Sequence, residues 1–178
     1  MSIIQEYKLP KDMLEKLARE GERTWKCRNI QDKADHFFNF CVTSLSLRDW
    51  CIAYLELEGK EESQFYDMHS KNKWLNYCGS IANASKHFKL IEGRKSAVKS
   101  VDSKISKLVA LGVNGQVIEG MESERVSFDI QVSDTEVEDL MVVLFYCVVQ
   151  WEEVFKNYNI PAPSFDIKAR MLIEYVYP

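Results

Sequence analysis

The sequence predicts a mainly α, α+β protein: a helical bundle with a small antiparallel β-meander inserted between its third and fourth helices. Three observations carry this. Apolar residues recur at three- and four-residue steps through the stretches 30–57, 61–90 and 135–158. Only seven Gly and four Pro interrupt 178 residues, which suits long helices. Between the third and fourth stretches the period changes to two: Val126, Phe128, Ile130 and Val132 alternate with Ser127, Asp129 and Gln131. A chain of this length reads as one domain, 1–178. It buries about 70% of its unfolded surface without help from a metal or a disulfide.

The elements follow in order. Pro10 opens a short helix over 10–20, with Met13, Leu14, Leu17 and Ala18 on one face. Asn29 caps a second helix over 30–57, whose stripe is Phe37, Phe38, Cys41, Leu45, Ile52 and Leu55, and Gly59 closes it. The third helix, 61–90, carries Phe65, Met68, Leu75, Cys78, Ile81, Ala82 and Phe88, with Gly93 beyond its end. A three-stranded meander over 104–132 follows: 105–113, the Asn114-Gly115 turn, 116–119, and 125–132. Ser133 with Glu136, or Thr135 with Glu138, has capping-box spacing for the helix 135–158. That helix is apolar nearly all round, so its expected place is the middle of the bundle. The apolar C-terminal tail, 165–177, is a short helix or strand that docks on the body or on a partner.

Charge is segregated along the chain. Net charge is −4, but Lys86–Lys107 holds seven basic residues against Glu92 and Asp102. Glu119–Asp139 holds eight acidic residues against Arg125. The two blocks either neutralise each other within one chain or pair between chains. The small net charge argues against a non-specific nucleic-acid binder. The five cysteines, Cys27, Cys41, Cys51, Cys78 and Cys147, are scattered without a CxxC. Together with the lack of a signal peptide this predicts free thiols in a reducing cytoplasm. The longest apolar run, Leu140–Val149, is half of a membrane span, so no membrane partner is expected.

Site chemistry concentrates in "SIANASKHFKLIEGRKS", Ser80–Ser96. Asn83 and His87 are helical i, i+4 neighbours, and Lys86 lies one step round from His87. A helix C-terminus favours Lys and His⁺ for its dipole alone. The functional alternative is an anion or partner-binding patch of Asn83, Lys86, His87, Arg94 and Lys95, supported by Arg48 and Asp49 from "SLRDW". No zinc spacing, Glu-x-x-His pair, phosphate loop or GxSxG elbow occurs, so no metal, cofactor or catalytic residue is assigned. The pairing of Lys71 and Lys73 with Trp74 in "KNKW" is the one basic–aromatic combination suited to base stacking.

Two resemblances bear on this pattern. "HFFNFCVTSLSLRDW", then "IANASKHFKL", a hairpin and a closing "VVQWEEVF" helix, resemble small bacterial and phage-encoded helical proteins with an IANxxKH segment, over Ala34–Phe155. That resemblance implies a prokaryotic or viral cytosolic protein and no particular activity. The bundle also resembles the HEPN superfamily of helical ribonucleases, whose active site is Arg-x(4–6)-His. None of His36, His69 and His87 has an arginine at that spacing, since Arg28 falls one step too far from His36. The leading expectation is therefore a non-catalytic cytosolic binding or assembly module contacting itself or another protein. The alternative is a phosphate- or nucleic-acid-acting protein using a Lys86/His87 anion pocket.

Overall fold

The computed structural model describes residues 3–86 and 96–173. Among them are six helices and one three-stranded antiparallel sheet, the expected α+β bundle.

Helix α1 spans Pro10–Lys26. The Asp12 carboxylate accepts from the backbone N–H of Lys8 and Leu9 and closes its first turn. It runs past its expected end at residue 20, because Gly21 is no stop here: the missing side chain leaves room for Met171. Helix α2 spans Ile30–Tyr54, and Asn29 Oδ1 caps it by accepting from Gln31 and Asp32 N–H. Lys33 is fully buried on its first turn. Its ammonium donates to the Thr24 and Trp25 carbonyls, which lie in the last turn of α1. A cation is thus placed on the negative end of one helix by the start of the next.

The helix expected over 61–90 is two helices. Helix α3 spans Gly59–Lys71 and α4 spans Lys73–Lys86. Asn72 breaks them with ψ 122°, and its Oδ1 accepts from Trp74 and Leu75 N–H. Its amide also donates to Gln150 of α5. An asparagine that caps the next helix and bonds across the bundle outweighs the continuity of the apolar stripe.

The sheet differs from its expected register. Strands β1, Ser100–Leu108, β2, Ser123–Gln131, and β3, Val137–Asp139, lie in the order β1-β2-β3. The expected middle strand over 116–119 is not one. The Asn114-Gly115 turn forms, with Gly115 at φ 76° and a bridge between Leu111 and Val117, but it tips a hairpin arm that extends beyond β1 and β2. The third strand comes from 137–139 instead, inside the expected helix 135–158. Ser133 Oγ accepts from Glu136 N–H and turns the chain, so the capping spacing marks a turn rather than a helix start. Helix α5, Leu140–Asn157, is capped by Asp139, whose Oδ1 accepts from Met141 N–H. Helix α6, Ile167–Leu172, makes the tail a docked helix: Asp166 caps it, and Ile167 and Met171 are buried.

The core is one cluster. Leu14 and Leu17 of α1, Phe40 and Leu47 of α2, Phe65 of α3, Leu75 of α4, and Leu144, Trp151 and Phe155 of α5 belong to it. Of α5, only the face through Leu140, Val143, Leu144, Cys147, Val148, Trp151 and Phe155 is buried. The opposite side shows Met141 and Tyr146, each about two-fifths exposed. α5 is therefore packed on one side rather than surrounded, because no described element covers Met141. The sheet lays Val101, Phe128 and Ile130 on the bundle, with the Phe128 ring stacked on Phe37 at 6.0 Å.

Candidate functional site

The polar patch expected around Asn83 is only partly within the described residues. Asn83 is half-buried near the end of α4 and Lys86 is that helix's last residue. His87, Arg94 and Lys95 lie outside the described residues. The supporting pair is elsewhere. Arg48 donates to the Asp49 carboxylate at 2.9 Å and lies over the Tyr66 ring at 4.6 Å, at the corner of α2 and α3. The α4 residue Ile81 meets α2 at Ala34, Phe37 and Phe38. Arg48 is ten residues further along α2 than Phe38, about 15 Å at 1.5 Å per residue. Among the described residues no hydrogen bond joins Asn83 to Arg48 or Asp49.

Three interior thiols and one interior histidine are held in unreactive forms. Cys78 and Cys147 touch at 3.6 Å between sulfurs, and Ser44 Oγ lies 3.3 Å from Cys147 Sγ. Trp151 Nε1 donates to the same Ser44 oxygen at 2.9 Å. Burial pushes the Cys147 thiol well above its ordinary range. At Cys78 the Cys147 contact pulls downward, but the Cys41 contact and burial outweigh it and raise the thiol as well. Burial alone takes Cys51 to about 12. A thiol is a nucleophile only as thiolate, so these sulfurs act as core filling. His69 is buried against Trp151, with Nε2 lacking a hydrogen bond, and burial followed by the Arg48 charge lowers its pKa to about 4. At neutral pH it is an uncharged ring in the core. Among the described residues no three of His, Cys, Asp and Glu converge as metal ligands do. Among the described residues no helix is long and apolar enough to cross a membrane.

The "KNKW" pairing is also spoken for. Lys73 Nζ bonds Glu138 at 2.6 Å and Glu136 at 2.9 Å, and these bonds, Glu138 first, raise its pKa. The same ammonium lies over the Trp74 ring, which in turn stacks on Tyr146 at 4.9 Å. An acid-neutralised lysine and an already stacked indole leave little for a nucleobase. An open crevice of about 480 Å³ between α2 and α3, lined by Asp49, Glu56, Glu58 and Tyr66, is acidic and so repels phosphate.

No family model, no curated protein and no solved structure matches the chain.

Where they are described, the two charge blocks meet inside one chain. Lys99 bonds Asp134, Lys104 bonds Asp129 and Asp139, and Lys107 bonds Glu122. The antiparallel pairing of β1 with β2 brings them together, setting Asp102 opposite Asp129. Pairing of β2 with β3 then sets Asp129 opposite Asp139. Three carboxylates therefore stand in a row across the sheet. Lys104 bridges Asp129 and Asp139, and Asp102 on the edge strand β1 is exposed and accepts from Ser100 Oγ.

What the fold leaves uncovered is the hairpin arm. Leu111 is 61% exposed and Met121 63%, and Val113 is wholly so; Val109, Val117 and Ile118 are exposed as well, and Ile105 of β1 is 70% exposed. Alternating apolar residues read as buried strands in the sequence, and the signal carries no information on whether anything covers them. An isolated exposed aliphatic is ordinary; six exposed apolar side chains within residues 109–121 are an unusual concentration.

Proposed function

We propose that the chain is a non-catalytic cytoplasmic binding or assembly module that meets protein through its hairpin arm. The observation that carries this is the exposure of Leu111, Val113, Val117 and Met121 on the one hairpin arm. Leaving such side chains in water forgoes roughly 1.5–3 kcal/mol each relative to full burial. Two further observations support it. The thiols of Cys51, Cys78 and Cys147 and the ring of His69 are held in forms unsuited to nucleophilic or acid–base work. All five cysteines are free, four of them buried, as suits a reducing compartment. The resemblance over Ala34–Phe155 points to a bacterial or phage setting for the module.

The test is site-specific photo-crosslinking. Val113 is replaced by a photoreactive phenylalanine analogue and irradiated in cells making the protein. The module reading expects discrete adducts, to another protein or to a second copy of the chain. Irradiation that yields no adduct at Val113, with an adduct-free control at exposed Lys60 behaving identically, overturns it.

A further inference from the structure

The seam between α4 and α5 holds two thiols in contact. Asn72, just before α4, reaches Gln150, Trp74 stacks on Tyr146, and one turn further along α4 Cys78 lies against Cys147. Both cysteines are free and wholly buried. Their sulfurs are 3.6 Å apart, with the Cys78 S–H donating to Cys147 Sγ. The α5 side of this contact is fixed. Cys147 Sγ packs 3.3 Å from Ser44 Oγ, and Trp151 Nε1 donates to that oxygen at 2.9 Å. We propose that Cys78 and Cys147 are a latent crosslink: a dithiol that closes to a disulfide when a low-molecular-weight disulfide is in excess, and so locks α4 to α5.

A disulfide needs Cα atoms about 4.4–6.8 Å apart. Helix axes about 8–10 Å apart, with Cα atoms on cylinders of about 2.3 Å radius, bring directly facing Cα atoms to about 3.5–5.5 Å. Two cysteines whose sulfurs already touch across such a seam have only about 1.5 Å of sulfur separation left to close. The chemistry is thiol–disulfide exchange. One cysteine, as thiolate, attacks a sulfur of the small disulfide RSSR and expels RS⁻, which takes up a proton. The second cysteine, as thiolate, attacks the protein sulfur of that mixed disulfide and expels the other RS⁻. The two cysteines lose two electrons, RSSR gains them, and two RSH leave. Neither step runs in the packed bundle, where both sulfurs are enclosed and both thiols titrate well above their ordinary range. Exchange starts when α4 parts from α5, and the second displacement follows as they close again. A reducing compartment keeps the pair as thiols, and an oxidising shift joins them. The bridge ties residues 69 apart in sequence, and such a constraint stabilises more the longer the loop it closes.

The full chain is incubated with oxidised glutathione in urea just below its unfolding midpoint, so that opening is frequent while the fold persists. Remaining thiols are alkylated, and the cysteine peptides are mapped by mass spectrometry. Cys27, the one cysteine that is not buried, reacts without any opening and so times the experiment. The expected product has the Cys78 and Cys147 peptides joined, Cys41 and Cys51 alkylated, and a link that dithiothreitol reverses. Freed of oxidant, the linked chain should unfold at a higher urea concentration than the reduced one. Cys147→Ala should give no link at Cys78. The mapping of the wild-type chain decides the matter even where that variant fails to fold. Cys78 and Cys147 left unlinked after Cys27 has fully reacted, whether alkylated or carrying glutathione, overturn the crosslink. A link from Cys78 to Cys41 or to any other cysteine overturns it too. So does a Cys78–Cys147 link that lowers the urea midpoint, because the folded seam then fails to hold the bridge.

Discussion

His69 shows how one buried side chain gives the fold a pH response of its own. Its ring is almost fully enclosed and its pKa is lowered to about 4, by burial first and by Arg48 second. Unfolded histidine titrates near 6.5. The folded state therefore requires the neutral ring: stability is complete above pH 6.5 and is lost as pH falls from 6.5 towards 4. Between pH 7.5 and 5 the loss should be about 2 kcal/mol. Urea unfolding at the two pH values measures it, and His69→Leu should flatten the difference while changing stability little at pH 7.5. An equal pH slope in both proteins would mean that His69 is not the group involved. Nothing in the sequence marks His69 for this role, because its spacing fits an apolar stripe and a surface position equally well. Lys33 was illegible for a related reason: the carbonyls that bury it belong to another helix.

Among the elements, α6 is held by an absence. A methyl on Gly21 would sit 2.2 Å from Met171 Sδ and 3.2 Å from a Phe40 ring carbon. Replacing an interior helical Gly by Ala ordinarily stabilises by about 1 kcal/mol. Here Gly21→Ala should instead cost about 1–3 kcal/mol by overpacking. Met171→Ala alone should cost about 2–5 kcal/mol. The double variant should lose less than the sum, since the new methyl occupies part of the vacated space, and a denaturant double-mutant cycle reads the coupling. Additive losses would show that the two side chains do not share that space. The same logic explains what was legible among the elements. Helices α1, α2 and α5 announce themselves by apolar periodicity and the Asn29 cap. The break at Asn72 and the strand at Val137–Asp139 are decided by tertiary bonds to Gln150 and to β2, which local spacing does not encode. The arm over 109–121 was legible as β-like, but its exposure was not.

At the scale of the molecule, the described part of the segregated charge pairs within the chain. Lys99, Lys104 and Lys107 find Asp134, Asp129 with Asp139, and Glu122 through the fold of the sheet. Each exposed pair is worth about 0–1 kcal/mol and is screened by salt. Raising ionic strength from about 0.05 to 0.5 M, where the screening length shrinks several-fold, should therefore lower Tm by only about 2–8 °C in a chain of this size. Scanning calorimetry at the two salt concentrations checks this, and a fall several times larger would make electrostatics a principal source of stability. The polar patch read around Asn83 remains partly outside the described residues, whereas Arg48 and Asp49 are engaged with each other and with Tyr66. The contact between Gly21 and Met171 has one more consequence. The thioether of Met171 is wholly enclosed, while those of Met121 and Met141 face the solvent. Peroxide converts an accessible methionine to its polar sulfoxide. The outer sulfurs can take up such damage with the bundle intact, whereas Met171 is oxidised only after α6 has lifted from α1, and its sulfoxide would then be too polar to return.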